Sequence, residues 1–582
     1  TPLQPNIVFL VVESTDGRTW QRGYQDDVIP LPNIRALQEH GVAFHRHYSN
    51  APVCCPSRAT FWSGRHAHKI PHTSRVPGSG LPVDGAWNNF EGLPPGFDDK
   101  MSDVLARHGY STAIFGKRDW TAGAHTLNVQ LNSWTMYTQF PYSIDKTGGW
   151  ADETMCQGNG SVRAGGGPRG KPNSAHEEDW KQVAEGVQWI ADNATAPFFV
   201  YQGMNIVHPP YLTNEYWYDK IDESKVRVPR WLPLEEMHPC DLQASMLKGC
   251  IGSAKQRSAL EDEGRRRRLR RIYYSMVTEF DDMVGAYMDA VRSKPGAWES
   301  TVWIVTSDHG DMQYEHRQFY KMVPREPSAN VPMVIFDGRP GRGMPAPKVV
   351  DTPTQLIDIF PTVMEYAGVD VSTLPLDGNS LAPLLTPPTN ASATNTNTLT
   401  RAPFVTSQFH GCNLAMSWFL IVQLVNRSAI KYIVWGTGAE APPQLFNLTA
   451  DPGEFEDLLD ERRPPSEEAR RVAKLLDANL RATIDYPVVA QRVAHYNLDS
   501  FRAWANHTGP DWPTVMRGAP AGQKGHLRWT PSWDDNPDGS LEAVHEWLAR
   551  PARIMPCRKE LVWPPREATS VHTMRPPNQY PN

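Results

Sequence analysis

The sequence predicts an α/β protein, with a large mixed, mostly parallel sheet flanked by helices and a smaller C-terminal α+β subdomain. Three observations carry that expectation. Asn6 to Val12, Pro197 to Gln202 and Thr301 to Thr306 are continuous apolar runs rich in β-branched and aromatic residues, the pattern of strands covered on both faces. Stretches of helical periodicity alternate with such runs as far as Ala367, as they do when helices cover a parallel sheet. Between Thr386 and Thr400 the composition shifts to Pro, Thr, Asn and Ser, and hairpin-like runs then replace the alternation.

Taken in order, the first strand ends in Glu13-Ser14-Thr15-Asp16-Gly17, which puts acidic groups at the carboxyl end of a buried strand, where α/β sheets bind ligands. A helix over Pro32 to His40 and a strand over Val42 to His47 follow. Ser57 to Gly64 reads as a helix, so the residues just before it stand near a helix N-terminus, whose free N–H groups favour an anion. Residues 66–98 carry several Gly and Pro and read as a long loop. Helix Met101 to His108 and strand Ser111 to Phe115 lead into Gly116-Lys117, and Gly158 to Gly170 reads as a second loop. Helix Glu177 to Ala191 and the strand at 197–202 then lead to a turn over Asn205 to Pro210. A long helix from Arg265 to Arg292 precedes the strand that delivers Ser307-Asp308-His309-Gly310-Asp311. Strand Val331 to Phe336 and helix Pro353 to Ala367 complete the alternation. The expected organisation is an N-terminal catalytic domain over residues 1–385, a linker over 386–400 and a C-terminal subdomain over 401–582.

At 582 residues the chain exceeds what one compact core accommodates. Its formal charge of −6 is modest and argues against a general nucleic-acid binder. The local exception, the arginine-rich run Arg265 to Arg271 behind Glu261-Asp262-Glu263, reads as a solvated, charge-compensated helix face, with anchoring of a polyanion as the alternative. Seven cysteines, at 54, 55, 156, 240, 250, 412 and 557, show neither a C-x-x-C pair nor His-paired zinc spacing. Six N-x-S/T sequons, at Asn159, Asn193, Asn390, Asn426, Asn447 and Asn506, join the dispersed cysteines in favouring the secretory route, where glycans attach and disulfides persist. The longest apolar runs fall far short of the ~20 residues that cross a bilayer, so no membrane partner is expected. The start at Thr1-Pro2-Leu3 has no signal peptide and reads as that of a mature or trimmed chain.

The stretch richest in chemistry is Ala51-Pro52-Val53-Cys54-Cys55-Pro56-Ser57-Arg58. Pro56 and Arg58, two and four residues after Cys54, complete the C-x-P-S-R pattern of the sulfatase family; taken alone, the stretch also suits a disulfide or a buried helix start. Other segments stand in sulfatase order: Pro5-Asn6-Ile7-Val8, Gly116-Lys117, His208-Pro209, Ser307-Asp308-His309-Gly310, Lys321 and Leu445 to Pro452. Trp87 to Phe90, Glu236 to Pro239, Glu315 to Met322, Phe409 to Asn413 and His495-Tyr496-Asn497 resemble, more narrowly, the glucuronate-2-sulfatase branch. The sequence therefore resembles a sulfatase over nearly its whole length.

That resemblance implies a sulfuric ester hydrolase in which a formylglycine-generating enzyme oxidises Cys54 during secretion to formylglycine. The hydrate would offer two hydroxyls on one carbon, one to attack sulfur and one to drive elimination of sulfate. It also implies a divalent cation, Ca2+ with Mg2+ or Mn2+ as alternatives, on Glu13, Cys54, Asp308 and His309. Glu13 stands where most members have paired Asp, so Asp16 is a candidate substitute ligand; His309 stands where Asn is common. Arg58, Lys117 and Lys321 would balance charge around the diol and the sulfate. His208 would bind the sulfate and protonate the leaving oxygen. Because Lys117-Arg118-Asp119 lacks the family's Lys-x-His, His125 is the candidate for assisting diol deprotonation or sulfate elimination. His68, His238, His316, His410 and Glu326 are candidates for the sugar pocket, with a structural hydrogen bond as the plain alternative for each. Arg317 suits a uronate carboxylate. The implied substrate is a sulfated carbohydrate, the 2-O-sulfate of glucuronate in glycosaminoglycans, and the implied location is lysosomal, vacuolar or extracellular. Two other readings stay open: a phosphate or phosphonate ester hydrolase on the same fold, and a glycan-binding homologue without turnover.

Overall fold

The apolar run at the start of the chain forms strand β1 (Asn6–Val12), buried along its whole length. The computed structural model describes residues 4–120, 160–385 and 403–514, apart from breaks within 72–95 and at 168–174, 193–195, 248–249, 252–260, 343–346 and 411–416, together with isolated residues between 545 and 549. After β1 come α1 (Pro32–His40), β2 (Val42–Phe44), α2 (Cys54–Ser63), β3 (Ser111–Gly116), α3 (Glu177–Asp192), β4 (Phe198–Gly203), α4 (Glu263–Arg292), β5 (Thr301–Ser307), β6 (Met333–Asp337), β7 (Lys348–Val350) and α5 (Ile359–Ala367). The seven strands form one sheet in the order β7-β2-β6-β5-β1-β4-β3. Strands β3, β4, β1 and β5 pair in parallel, β6 runs antiparallel to both β5 and β2, and β7 is parallel to β2. Only β6 is therefore reversed.

Alternation along β1 serves two cores at once. Val8, Leu10 and Val12 pack with residues of α1, α3 and α4, whereas Ile7, Phe9 and Val11 pack with Phe61 and Trp62 of α2 and Phe360 and Val363 of α5. Each large side chain buried in this way contributes roughly 1.5–3 kcal/mol.

Three expectations are corrected. The strand expected to reach His47 leaves the main sheet after Phe44, because His47 and Tyr48 pair instead with Thr354 and Gln355. That pairing also holds 354–355 extended, so the helix expected from Pro353 begins as a short 3-10 turn at Leu356–Asp358 before α5. The arginine run on α4 is not all solvated. A 3.6-residue period turns part of any seven-residue run inward, and Arg266 and Arg270 are buried, with Arg270 donating to Tyr274 Oη at 2.7 Å and to the Gln313 carbonyl at 3.1 Å.

Beyond 386–400, the expected linker and outside the described residues, the strands β8 (Phe404–Phe409), β9 (Trp418–Val425), β10 (Ser428–Trp435) and β11 (Gln444–Asn447) form an antiparallel meander. Helix α6 (Glu467–Thr483) covers it through Val472, Leu476 and Leu480, followed by α7 (Tyr486–Thr508). Lys431 of β10 ties this sheet to the rest of the chain. Its buried ammonium lies 2.6 Å from Glu326 Oε1 and 2.9 Å from Glu454 Oε1, and donates to the Pro324 carbonyl at 3.0 Å. Among the described residues no helix is long and apolar enough to cross a membrane.

A carboxylate of α4 caps α1: Asp281 accepts from the N–H groups of Asn33 at 3.0 Å and Ile34 at 2.8 Å. Burial pushes this carboxyl up to about 6 against the pull of those donors. Its folded pKa thus lies above the unfolded value, so the fold holds this proton longer, and the group's contribution is greatest at low pH and declines as pH rises from about 4 through about 6. The decline amounts to up to about 3 kcal/mol. Urea denaturation at about pH 4 and about pH 7 should show a shallower loss of stability for Asp281→Asn than for the wild type.

Candidate active site

Four parallel strands end on one edge of the sheet, and the residues that follow them meet there. Glu13 follows β1, Lys117 follows β3, Asp308 and His309 follow β5, and His208 lies on the loop after β4. Helix α2 brings its N-terminus to the same edge. It starts at Cys54, three residues before the expected position, and Arg58 lies one turn further on the same face. Every residue of α2 is buried, and Gly64, in the left-handed region at φ 68°, ends the helix.

Glu13 joins these elements. Its Oε1 accepts from Cys54 Sγ at 3.0 Å and Lys321 Nζ at 3.0 Å, and lies 3.1 Å from His309 Nε2. Its Oε2 accepts from Arg58 Nη2 at 2.9 Å and lies 3.1 Å from Lys117 Nζ. Arg58 is a fork between two carboxylates, since its Nε donates to Asp308 Oδ2 at 2.9 Å while a third nitrogen, Nη1, donates to Tyr201 Oη at 2.7 Å. Lys321 Nζ also donates to Cys54 Sγ at 2.6 Å. Lys117 Nζ contacts the same sulfur at 3.9 Å, donates to Asn205 Oδ1 at 3.2 Å and lies 3.5 Å from Asp119. Cys54 carries a thiol here, so its sulfur stands in for the side-chain oxygen that oxidation at this position would create.

The electrostatics follow from burial and neighbours. Burial raises the Glu13 carboxyl, but Lys117, Lys321 and His309 together outweigh it and hold the group well below the usual carboxylate range. Asp308 is raised, by burial first and then by the nearby Glu13 charge, with Arg58 opposing. Burial lowers His208, and Lys321 and Lys117 lower it further, so its imidazole is neutral in the free protein.

Glu13, Cys54, Asp308 and His309 place one ligand atom each within 4.8 Å of one another, all buried. Two carboxylates and an imidazole, beside a position able to carry oxygen, suit a divalent cation. Asp16 is not part of this group: Arg18 binds it at 2.7 Å and Gln313 Nε2 donates to it at 3.0 Å, so its carboxylate is committed to a neighbouring ion pair.

The remaining candidates lie in other settings. His125 lies outside the described residues. His68 Nδ1 lies 3.1 Å from Gln408 Nε2. Buried His410 spans Ser417 Oγ and Gln408 Oε1, each at 3.1 Å. His238 Nε2 lies 3.0 Å from the Pro442 carbonyl and His316 Nε2 lies 2.9 Å from the Gly453 carbonyl; both rings line a cavity of about 410 Å³ against the C-terminal meander. Arg317 pairs with Glu261 at 2.9 Å and covers the Trp231 ring. Glu326 faces Lys431. Sequence reasoning missed Tyr201, Asn205 and Tyr320, which contact Arg58, Lys117 and His208 respectively. Nothing in local pattern marks a tyrosine in the middle of a buried strand; Tyr320 alone had a signal, its place beside Lys321.

A mixed sheet of this order, with carboxylates, cations and a thiol gathered on its carboxyl edge, defines a hydrolase of the sulfatase and alkaline-phosphatase-like fold class. Residues 5–369 match the Sulfatase family model. Arylsulfatase K of Bos taurus is 32% identical over 94% of this chain and 92% of its own length. The phosphonate monoester hydrolase of Agrobacterium radiobacter shares the fold with a TM-score of 0.60 at 22% identity, covering 82% of this chain and 95% of that one. A 2-O GAG sulfatase does so with a TM-score of 0.57 at 18% identity, covering 84% and 93%. The chain belongs to the sulfatase family and is a sulfuric ester hydrolase.

Replacing Glu13 by Gln keeps the shape and removes the charge that faces the cluster. Elemental analysis after equilibrium dialysis should show divalent-cation affinity reduced roughly tenfold or more; unchanged occupancy would place the cation elsewhere.

Proposed function

We propose that this sulfatase removes the 2-O-sulfate of glucuronate from glycosaminoglycans, using formylglycine made from Cys54. The observation that carries the reading is the setting of Cys54, at the first position of a buried helix, with Lys321, Lys117 and Glu13 all on its sulfur. The 32% identity to arylsulfatase K over 94% of the chain supports it.

Glu13, Asp308 and His309, with the oxidised Cys54 side chain, would hold the divalent cation, read as Ca2+ with Mg2+ or Mn2+ as alternatives. When bound, such an ion polarises a sulfate oxygen and favours an ionised hydroxyl. The formylglycine hydrate supplies two hydroxyls on one carbon, so that sulfate can leave by elimination. The chain's own residues do the rest. Lys117 and Lys321 bind and neutralise the anionic ester, their ammonium groups held charged, against burial, by the Glu13 carboxylate beside them. Arg58 fixes the two carboxylates. His208, neutral in the free protein, gains basicity as the anionic ester enters beside it, takes a proton from solvent at Nε2 and passes it to the leaving oxygen. His125 remains the candidate base for the second hydroxyl, and His68, His238, His316, Arg317 and His410 the candidates for holding the sugar. His238 and His316 line the cavity beside the C-terminal meander.

Maturation by a formylglycine-generating enzyme and N-glycosylation would both take place in the secretory pathway, with a lysosomal, vacuolar or extracellular destination. Asn426, in the turn between β9 and β10, and Asn506 are exposed, and Cys250 is disulfide-bonded, each in keeping with that route.

Protein from a secretory host should carry an aldehyde at Cys54 by mass spectrometry, and Cys54→Ala should reduce sulfate release to background; full activity in that variant would remove the proposal. Among disaccharides sulfated at single positions, the uronate 2-O-sulfate should be hydrolysed fastest. A preference for another position would overturn the glucuronate assignment alone, and faster turnover of the matching phosphate or phosphonate ester would favour that class of substrate.

A further inference from the structure

Tyr320 lies in a loop with an unusual backbone. Gln313, Tyr314, His316, Arg317, Tyr320 and Met322 all have positive φ, between 45° and 77°, a region costly for residues with a Cβ and kept where surrounding contacts over-determine it. Asp311 supplies such contacts. Its Oδ1 accepts from the N–H of Gln313 at 2.9 Å, from the N–H of Tyr320 at 3.2 Å and from Tyr211 Oη at 2.8 Å. The loop thereby delivers the Tyr320 phenol to within 2.5 Å of His208 Nε2, with the two rings edge to face at 5.3 Å. The other ring nitrogen, Nδ1, lies 2.5 Å from the Pro209 carbonyl. A carbonyl only accepts, so Nδ1 carries the proton and Nε2 accepts from the phenol.

We propose that Tyr320 carries the proton between His208 and the leaving oxygen of the sulfate ester: the phenol O–H is donated to that oxygen while the phenol oxygen takes the proton from Nε2. The inference rests on the reading of His208 given above. A phenol donates to a neutral Nε2 and accepts from a protonated one. The phenol occupies the one position that Nε2 offers, so a proton on Nε2 reaches the ester through the phenol oxygen, and the ring need not turn as it passes. Leaving-group protonation matters most where the departing oxygen is a poor leaving group, as in a sugar alkoxide, and least for an acidic phenol.

The test measures kcat/KM for a sugar sulfate and for an aryl sulfate with an acidic phenol, in the wild type, Tyr320→Phe, His208→Gln and the double variant. Tyr320→Phe removes one oxygen and keeps the ring; thermal melting checks the fold. We expect Tyr320→Phe to lose about 10- to 100-fold on the sugar sulfate and less than about threefold on the aryl sulfate, with the double variant no slower than His208→Gln alone. Imidazole 15N shifts should report the Nδ1–H tautomer of His208 in both the wild type and Tyr320→Phe, because the Pro209 carbonyl holds that proton. Equal losses on the two substrates or multiplying losses in the double variant would each overturn the proposal. If His208→Gln is selective for the poor leaving group and Tyr320→Phe is not, the path through the phenol fails and the role of His208 stands. If His208→Gln itself shows no such selectivity, the role of His208 fails and this inference with it.

Discussion

An ionised carboxylate taken out of water is costly by several kcal/mol unless other charges replace the solvent, and Glu13 is fully buried. Arg58, Lys117, Lys321 and His309 provide the replacement, each from a different part of the chain. None of these cations would be tolerable at its depth without Glu13 or Asp308, so the group is stable only as a whole. Loss of a single member such as Arg58 leaves two buried carboxylates short of a counter-charge, a defect of roughly 3–5 kcal/mol. Such interdependence fixes geometry more than it adds stability, and geometry is what sulfate transfer requires.

The rest of the architecture brings these charges together and keeps them in place. Parallel strands set Glu13, Lys117, Asp308 and His309 on one edge without any long-range loop design, because register in the sheet fixes where each strand ends. Lys321 cannot be placed this way. It sits in the loop of left-handed residues after β5, and that loop is supported from the far side by the C-terminal meander, where Lys431 reaches Glu326, Glu454 and the Pro324 carbonyl. Trp418 of β9 adds a bond from its indole N–H to the Met322 carbonyl at 3.0 Å. The meander thus contributes to the chemistry through the backbone it braces.

What was legible in the sequence follows the same division. Strands β1, β4 and β5 read clearly because full burial on both faces leaves a continuous apolar run, and the residues ending them, Glu13 and Asp308 among them, could be named with them. The start of α2 did not read, since Cys54-Cys55-Pro56 has no side-chain cap and the helix begins on Val53 without one. Asp16 looked equivalent to Glu13 because both are acidic residues after one strand. Separating them takes knowledge of Arg18, two residues on, which claims Asp16 by a local ion pair. Tyr320 was invisible as a partner of His208 because 112 residues separate them and their meeting depends on backbone angles that composition does not encode.

A carboxylate with one more methylene than Asp can divide its oxygens, and in Glu13 Oε1 faces Cys54, Lys321 and His309 while Oε2 faces Arg58 and Lys117. A shorter side chain would have to give up one set. With Asp16 drawn away, the cation cluster contains two carboxylates, Glu13 and Asp308, where a paired-Asp entrance would have added another. Fewer anionic ligands mean weaker hold on a hard cation, but also less negative charge for an incoming sulfate ester to approach. Arg58, Lys117 and Lys321, each paired with Glu13 or Asp308, then face fewer anions than a paired-Asp entrance would set against them, so the longer side chain at position 13 trades some strength at the cation for a more positive field at the substrate.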